Sequence, residues 1–187
     1  MSLAIIQSSW KDFRVESLEA DHTLDIWPTI GYPKGREALE LSRLWKKLRD
    51  TDIPGVLLLR CDVAADPDDY EAMCAAAFLR PELVLTGLVK LWPASTGRNE
   101  WMWSHRGGKL GNPEATQLDI IFPAYFSLGF LYVPRRLMDL CFPAHDDWAH
   151  GQMDVGMSEI ALRNGIRTRV VYGATPKHLH FAPSHNI

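Results

Sequence analysis

Short unbroken apolar runs along the chain alternate with stretches in which apolar residues recur every three or four positions, an alternation that predicts an α/β protein. Residues 3–6 are a first apolar run that breaks into the polar "QSSW", and residues 22–27 are a second, stopped by Pro28. Over residues 36–49, Ala38, Leu41, Leu44, Trp45 and Leu48 fall on one helical face with charges between them. After the turn "TDIPG" comes "GVLLL", apolar at every position, as expected of a central strand covered on both faces. Asp66 and Pro67 form a cap and first-turn pair, with Asp69 placed to complete a capping box, so a helix is expected over residues 68–79. Residues 82–92 are a further apolar strand region. The segment "YFSLGFLYVP" is extended with Gly129 at its middle, "PRRLMDL" is a short helix, "VGMSEIALRNG" is a helix closed by Asn164 and Gly165, and "IRTRVVY" is a strand. Between residues 93 and 115 the pattern dissolves into Gly, Pro, Asn, Trp and basic residues, the texture of a loop that binds a ligand or covers a site.

Composition narrows the class without naming a chemistry. At 187 residues, 47% hydrophobic and 23% charged, the chain fits one folded domain over residues 1–187. No apolar stretch approaches a membrane span, and the amino-terminal residues lack a targeting pattern. Cys61, Cys74 and Cys141 are odd in number and far apart, which favours free thiols in a reducing cytoplasm over a disulfide scaffold or a zinc knuckle. A net charge of -3 gives no global attraction to nucleic acid, leaving only a local patch to do so. Several of the seven tryptophans sit beside glycine, proline or charge, which favours loops around a polar ligand.

Candidate chemistry lies where the predicted strands run out. Asp62 follows the "GVLLL" strand, where a carboxylate either holds Mg²⁺ or Mn²⁺ shared with substrate phosphates or fixes a turn. Its neighbour Cys61 points to the other face and reads as a small buried hydrophobe. In "TPKHLHF", His178 and His180 share a face if the segment is extended, so one ligates and the other orients, or both decorate a surface tail; Lys177 offers a phosphate a mobile charge. Asp154, just before the late helix, is either a general base or a helix cap. "RNEWMWSHRGGK" interleaves Trp101, Trp103, His105 and Arg106 as a surface for sugars, bases or phosphates. "GYPKGRE" presents Lys34 and Arg36 at a helix amino terminus, within reach of a nucleotide. Neither a phosphate loop nor a GxGxxG turn is present, which speaks against a P-loop ATPase or a nicotinamide dehydrogenase.

Taken in order over residues 30–181, "GYPKGREALELSRLW" before "GVLLLRCDV", then "GFLYVPRR", "GQMDVGMSEIALRNGIRTRVV" and "KHLH", resemble a glycosyltransferase of the GT-A type, the inverting family-2-like group in compact form. The resemblance implies a GT-A-like α/β fold, a mostly parallel mixed sheet flanked by helices, with residues 1–66 as the donor-nucleotide half and residues 67–187 as the acceptor half and tail. It implies a nucleoside-diphosphate sugar donor, Mn²⁺ or Mg²⁺ held by Asp62 with His178 or His180, and Asp154 as the base. Lys34, Arg36, Arg60, Arg135 and Lys177 then face the donor, with Gly129 in the pocket lining, while Trp101, Trp103, His105 and Arg106 shape the site of a glycan, small-molecule or modified nucleic-acid acceptor. Two departures stand out: Arg60 occupies the place of the first acid of Asp-x-Asp, and Met153 that of the first acid of Glu-Asp. They keep open a noncatalytic carbohydrate- or nucleic-acid-binding protein on the same scaffold. A nucleotidyltransferase is the third reading, with Asp66, Asp68 and Asp69 as its only dense supply of further carboxylates.

Overall fold

A computed structural model of the chain describes residues 3–9, 18–25, 36–92, 101–102, 104–105, 108–109, 121–122, 126, 128–142 and 153–179. In chain order the elements are β1 (Ala4–Ser9), β2 (His22–Asp25), α1 (Arg36–Leu48), β3 (Gly55–Leu59), β4 (Val63–Ala64), α2 (Pro67–Leu79), β5 (Val84–Gly87), β6 (Val89–Trp92), β7 (Trp101–Met102), β8 (Ser104–His105), β9 (Gly108–Lys109), β10 (Ile121–Phe122), β11 (Phe130–Pro134), α3 (Arg135–Cys141), α4 (Met153–Arg163), β12 (Thr168–Val171) and β13 (Lys177–Leu179). Among the described residues no helix is long and apolar enough to cross a membrane.

Seven strands form a mixed sheet in the order β10-β12-β5-β11-β3-β1-β2. β1 pairs in parallel with β2 and β3, and β5 with β12, while β11 runs against both β3 and β5, and β10 against β12. Most of the sheet therefore points one way. Period-two alternation gives each central strand one set of side chains per face. Ile6, Val56, Leu58, Leu131 and Val133 pack with Ala38, Leu41 and Trp45 of α1, Leu137 and Met138 of α3 and Met157 of α4. Ile5, Leu57, Leu59, Phe130 and Tyr132 pack on the other face with Met73 and Ala77 of α2. A strand covered twice has no position for a polar side chain, which is why "GVLLL" does not alternate.

Gly55 opens β3 because nothing larger fits. A Cβ there would collide with the Val133 carbonyl and stand 2.8 Å from the Tyr132 ring. The end of α4 is set by Gly165, in the left-handed region at φ 67°. α2 begins with the expected capping box: Asp66 accepts from the Asp69 amide, and Asp69 accepts from the Asp66 amide.

Four local expectations need correction. β1 does not stop at Ile6 but runs to Ser9, because Gln7 to Ser9 keep their pairing to β2 and lie buried. The apolar run over residues 82–92 is two strands, with β5 in the large sheet and β6 in a second sheet of order β4-β13-β6-β7. Gly129 precedes β11 instead of interrupting it, and its carbonyl accepts from the Arg60 amide at 3.0 Å. Asp154 lies inside the first turn of α4, not before it.

Candidate functional site

β1 leads out to β2 on one side while β3 pairs on the other, so the carboxyl ends of β1 and β3 border the crevice where connections diverge in opposite directions. In open α/β sheets such a switch point is where ligands bind. The residues gathered there have a clear polar character. Ser8 and Ser9 end β1, and Arg60, Cys61 and Asp62 follow β3. The Cys61 amide donates to Ser8 Oγ at 2.9 Å, which ties the two strand ends together.

His178 reaches this point from 116 residues away because β13 pairs antiparallel with β4, placing His178 opposite Val63. The Leu179 amide donates to the Asp62 carbonyl at 2.8 Å, locking that register. As a result His178 Nε2 sits 3.0 Å from Asp62 Oδ2. Arg60 flanks the same carboxylate, with Nε 3.2 Å from Oδ1 and Nη2 3.3 Å from Oδ2. The Asp62 and His178 side chains are 18% and 12% exposed, whereas Arg60 is 40% exposed. Burial alone would raise the Asp62 pKa, but the His178 hydrogen bond and the Arg60 charge outweigh it and hold the carboxyl below its ordinary 3.8. Cys61 moves the other way: burial, then the Asp62 charge, push the thiol up, so it stays protonated and joins the core as expected of a small hydrophobe.

An acid that the sequence pattern did not single out belongs here. Glu37, in the first turn of α1, shares a crevice with Ser8, Arg60 and Met153. Burial pushes its carboxyl above the ordinary 4.5; the Arg60 charge pulls it back, and Asp154 and Asp62 push it further. An acid in a helix first turn is ordinary on dipole grounds, so nothing in "GREALE" distinguishes this one. Ser8 was likewise hidden in "QSSW", which looks like a loop until the strand is seen to extend through it. Asp154 starts α4 on this side of the sheet and its charge reaches Glu37, but its Oδ1 accepts from the Val155 amide at 2.9 Å, so it also serves its own helix end.

Other candidates lie elsewhere. Arg135 stands beside the amino end of β3, where its guanidinium donates to the carbonyls of Arg49, Thr51 and Ile53 and its amide to that of Pro54. It clamps the end of α1 and is not brought to Asp62. Lys177 is exposed, and strand alternation puts it on the face of β13 opposite His178. For Arg36, Trp101 and His105 the backbone alone is described, and Lys34, Trp103, Arg106 and His180 lie outside the described residues. A hollow of about 980 Å³ among the described residues is at the amino end of β3 between Thr51, Pro81 and Arg136, away from all of this chemistry.

The pair Asp62 and His178 can be tested against a divalent ion. An octahedral ion with bonds of about 2.1 Å puts neighbouring ligand atoms about 3.0 Å apart. The Oδ2 to Nε2 separation of 3.0 Å is that of a direct hydrogen bond, and the two atoms would take adjacent corners only by giving that bond up. An imidazole in the set favours Mn²⁺ over Mg²⁺. Among the described residues no third His, Cys, Asp or Glu completes a cluster, so phosphate oxygens or water would fill the other corners. No protein-family model matches the chain, and no curated protein matches it at a significant level.

Proposed function

We propose that this chain is a glycosyltransferase of GT-A type that moves a sugar from a nucleoside-diphosphate sugar to an acceptor hydroxyl. The observation that carries the reading is the Asp62 and His178 contact at the carboxyl end of the central strand β3, beside the switch point between β1 and β3. A buried carboxylate, an imidazole and a half-exposed arginine at that place suit a diphosphate better than an apolar ligand.

In this reading Asp62 and His178 would hold Mn²⁺ or Mg²⁺, which when bound would supply stabilisation of the charge that grows on the departing diphosphate. Arg60 supplies a planar pair of donors to the same phosphate oxygens, taking the place of an acid in the resembled motif. Glu37 and Asp154 come from two helix starts on one side of the sheet. Asp154 takes the proton of the acceptor hydroxyl as the hydroxyl oxygen attacks the anomeric carbon and the nucleoside diphosphate leaves. The acceptor is a glycan, a small molecule or a modified nucleic acid, met by the region around Trp101 and Trp103. The two-oxygen ion pair of Arg60 with Asp62 favours a second reading, a noncatalytic binder of carbohydrate in which that pair permanently closes the metal position.

A thermal-shift panel of uridine, guanosine and other nucleoside-diphosphate sugars with and without Mn²⁺ tests the class. Metal-dependent stabilisation by one donor is expected, followed by donor hydrolysis or transfer that drops about 10²-fold or more in Asp154→Asn. Unchanged turnover in Asp154→Asn removes its role as base. Metal-independent glycan binding without transfer selects the second reading.

A further inference from the structure

We propose that the outward face of α2 is an interface on which a second copy of this chain docks, the two α2 helices lying antiparallel about a two-fold axis near Ala75. The inference does not rest on the donor-site reading. α1, α3 and α4 cover one face of the large sheet, and α2 is the helix packed on the other among the described residues. A helix with one side on a core and the other in water carries polar residues on its outer side, whereas a helix apolar all round is covered all round. From Tyr70 to Leu79 the sequence of α2, "YEAMCAAAFL", holds one charged side chain, Glu71. Asp69, Met73 and Ala77 are its buried side. Opposite them Asp68, Glu71, Ala72, Ala75, Phe78 and Leu79 recur at three- and four-residue spacing. Phe78 and Leu79 are 68% and 72% exposed, the most open large apolar side chains among the described residues. The apolar surface runs on from Leu79 into a hollow of about 270 Å³ beside β12, lined by buried Leu85 and Val170. A contiguous patch of this kind marks an interaction surface more than single scattered apolar residues do.

The charges choose the occupant. Along its outer side α2 begins acidic with Asp68 and Glu71, turns apolar at Ala72 and ends on Arg80 at its carboxyl cap. Such a face is complementary to itself when reversed. A two-fold at Ala75 sets Phe78 and Leu79 of each copy over Ala72 and the Glu71 stem of the other, and Arg80 of each beside the acidic first turn of the other. A parallel pair would set acid against acid. Among the described residues Arg80 gives its Nε to Glu82 at 2.8 Å, at the surface, which leaves the amino groups of the guanidinium for a carboxylate across the axis. Ala75 on the axis, with the small Ala72 and Ala76 beside it, lets the two helices approach closely.

Sedimentation of the full chain from about 1 to about 200 μM tests the interface, with urea denaturation at the lowest concentration as the check on folding. The wild type is expected to pass from one chain to two over this range, as a modest interface does. Phe78→Asp is expected to associate at least about tenfold more weakly and to keep its stability as a single chain, because the side chain it replaces is exposed. Glu71→Arg and Arg80→Glu are each expected to weaken association about tenfold, since each sets like charges together at both ends of the pair. An equimolar mixture of the two variants is expected to regain the wild-type affinity within about threefold, because opposite charges meet again at both ends. Recovery in the mixture requires residue 71 of one copy beside residue 80 of the other, as the two positions stand at opposite ends of a single helix. No recovery in the mixture, or association of Phe78→Asp equal to that of the wild type, overturns the proposal. A wild type that stays a single chain at every concentration also overturns it. Loss of stability in Phe78→Asp would then assign the face to another segment of the same chain, and unchanged stability would assign it to a different partner.

Discussion

At Asp62 one largely buried carboxylate is shared between a histidine and an arginine, and the sign of its pKa shift says which influence wins. Its folded pKa lies below the ordinary 3.8, so the unfolded chain takes up the proton more readily than the folded one. The stability Asp62 contributes is therefore complete above about pH 4 to 5 and is lost as pH falls through the lower folded value. Glu37 and Asp69, whose carboxyls burial raises, tilt the overall profile the other way, so the comparison has to isolate Asp62. Urea denaturation of wild type and Asp62→Asn from pH 7 to pH 3 is expected to show the wild-type advantage shrinking below about pH 4. An advantage that is flat with pH would mean that neither His178 nor Arg60 stabilises the charged form. The residue types at this site were legible in the sequence: Arg60 and Asp62 because they stand where an apolar strand gives out, and His178 because it alternates with His180 in the tail. Glu37 was not, since a first-turn glutamate on an amphipathic helix has the same local pattern whether it faces solvent or an arginine.

The element that makes the site is β13, three residues long, paired with β4 on one side and β6 on the other. Asp69 adds an anchor just before it. Its Oδ2 accepts from the Asp66 amide in the cap of α2, and its Oδ1 accepts from the Thr175 amide at 2.6 Å, two residues before β13 begins. One side chain thus couples the start of α2 to the strand that carries His178. Asp69→Ala orphans both amides and is expected to cost about 2–4 kcal/mol, against about 1 kcal/mol for Asp66→Ala, which breaks the cap alone. Amide exchange separates the two effects: Thr175 and Leu179 should exchange faster in Asp69→Ala and stay protected in Asp66→Ala. The capping box itself was readable from "DPDD", because its chemistry is local and fixed at a three-residue spacing. The second duty of Asp69 was not, and neither was the break of "ELVLTGLVKLW" into β5 and β6. Which sheet a short strand joins is decided by partners far along the chain, here β12 for β5 and β13 for β6.

Across the whole molecule the sheet separates two polar ends with opposite duties. Alternating apolar runs and helical periods were enough to announce an α/β chain, yet the strand order and the antiparallel entry of β11 between β3 and β5 depend on pairings that no local pattern encodes. That entry turns "GFLYVPRR" around, so that Gly129 meets Arg60 at the carboxyl end of β3 while Arg135 arrives at its amino end. A five-residue strand is about 17 Å long, which keeps the two ends beyond the range at which substitutions normally couple. At the amino end Arg135 collects the carbonyls of Arg49, Thr51 and Ile53, and Tyr132 donates to the Pro54 and Pro81 carbonyls, each at 3.1 Å. These contacts satisfy the end of α1 and the turn into β3, so their loss belongs to folding. Arg135→Ala is expected to lower stability by about 1–2 kcal/mol, the worth of charge-assisted bonds at a half-buried position, and to leave Mn²⁺ and sugar-nucleotide affinity within twofold of wild type. Combined with Asp62→Asn its cost should add within about 0.5 kcal/mol. Loss of donor affinity in Arg135→Ala at full stability would return this arginine to the ligand. An excess cost in the double variant would show that the two ends of β3 communicate, and the division of the sheet into a binding end and a folding end would fall.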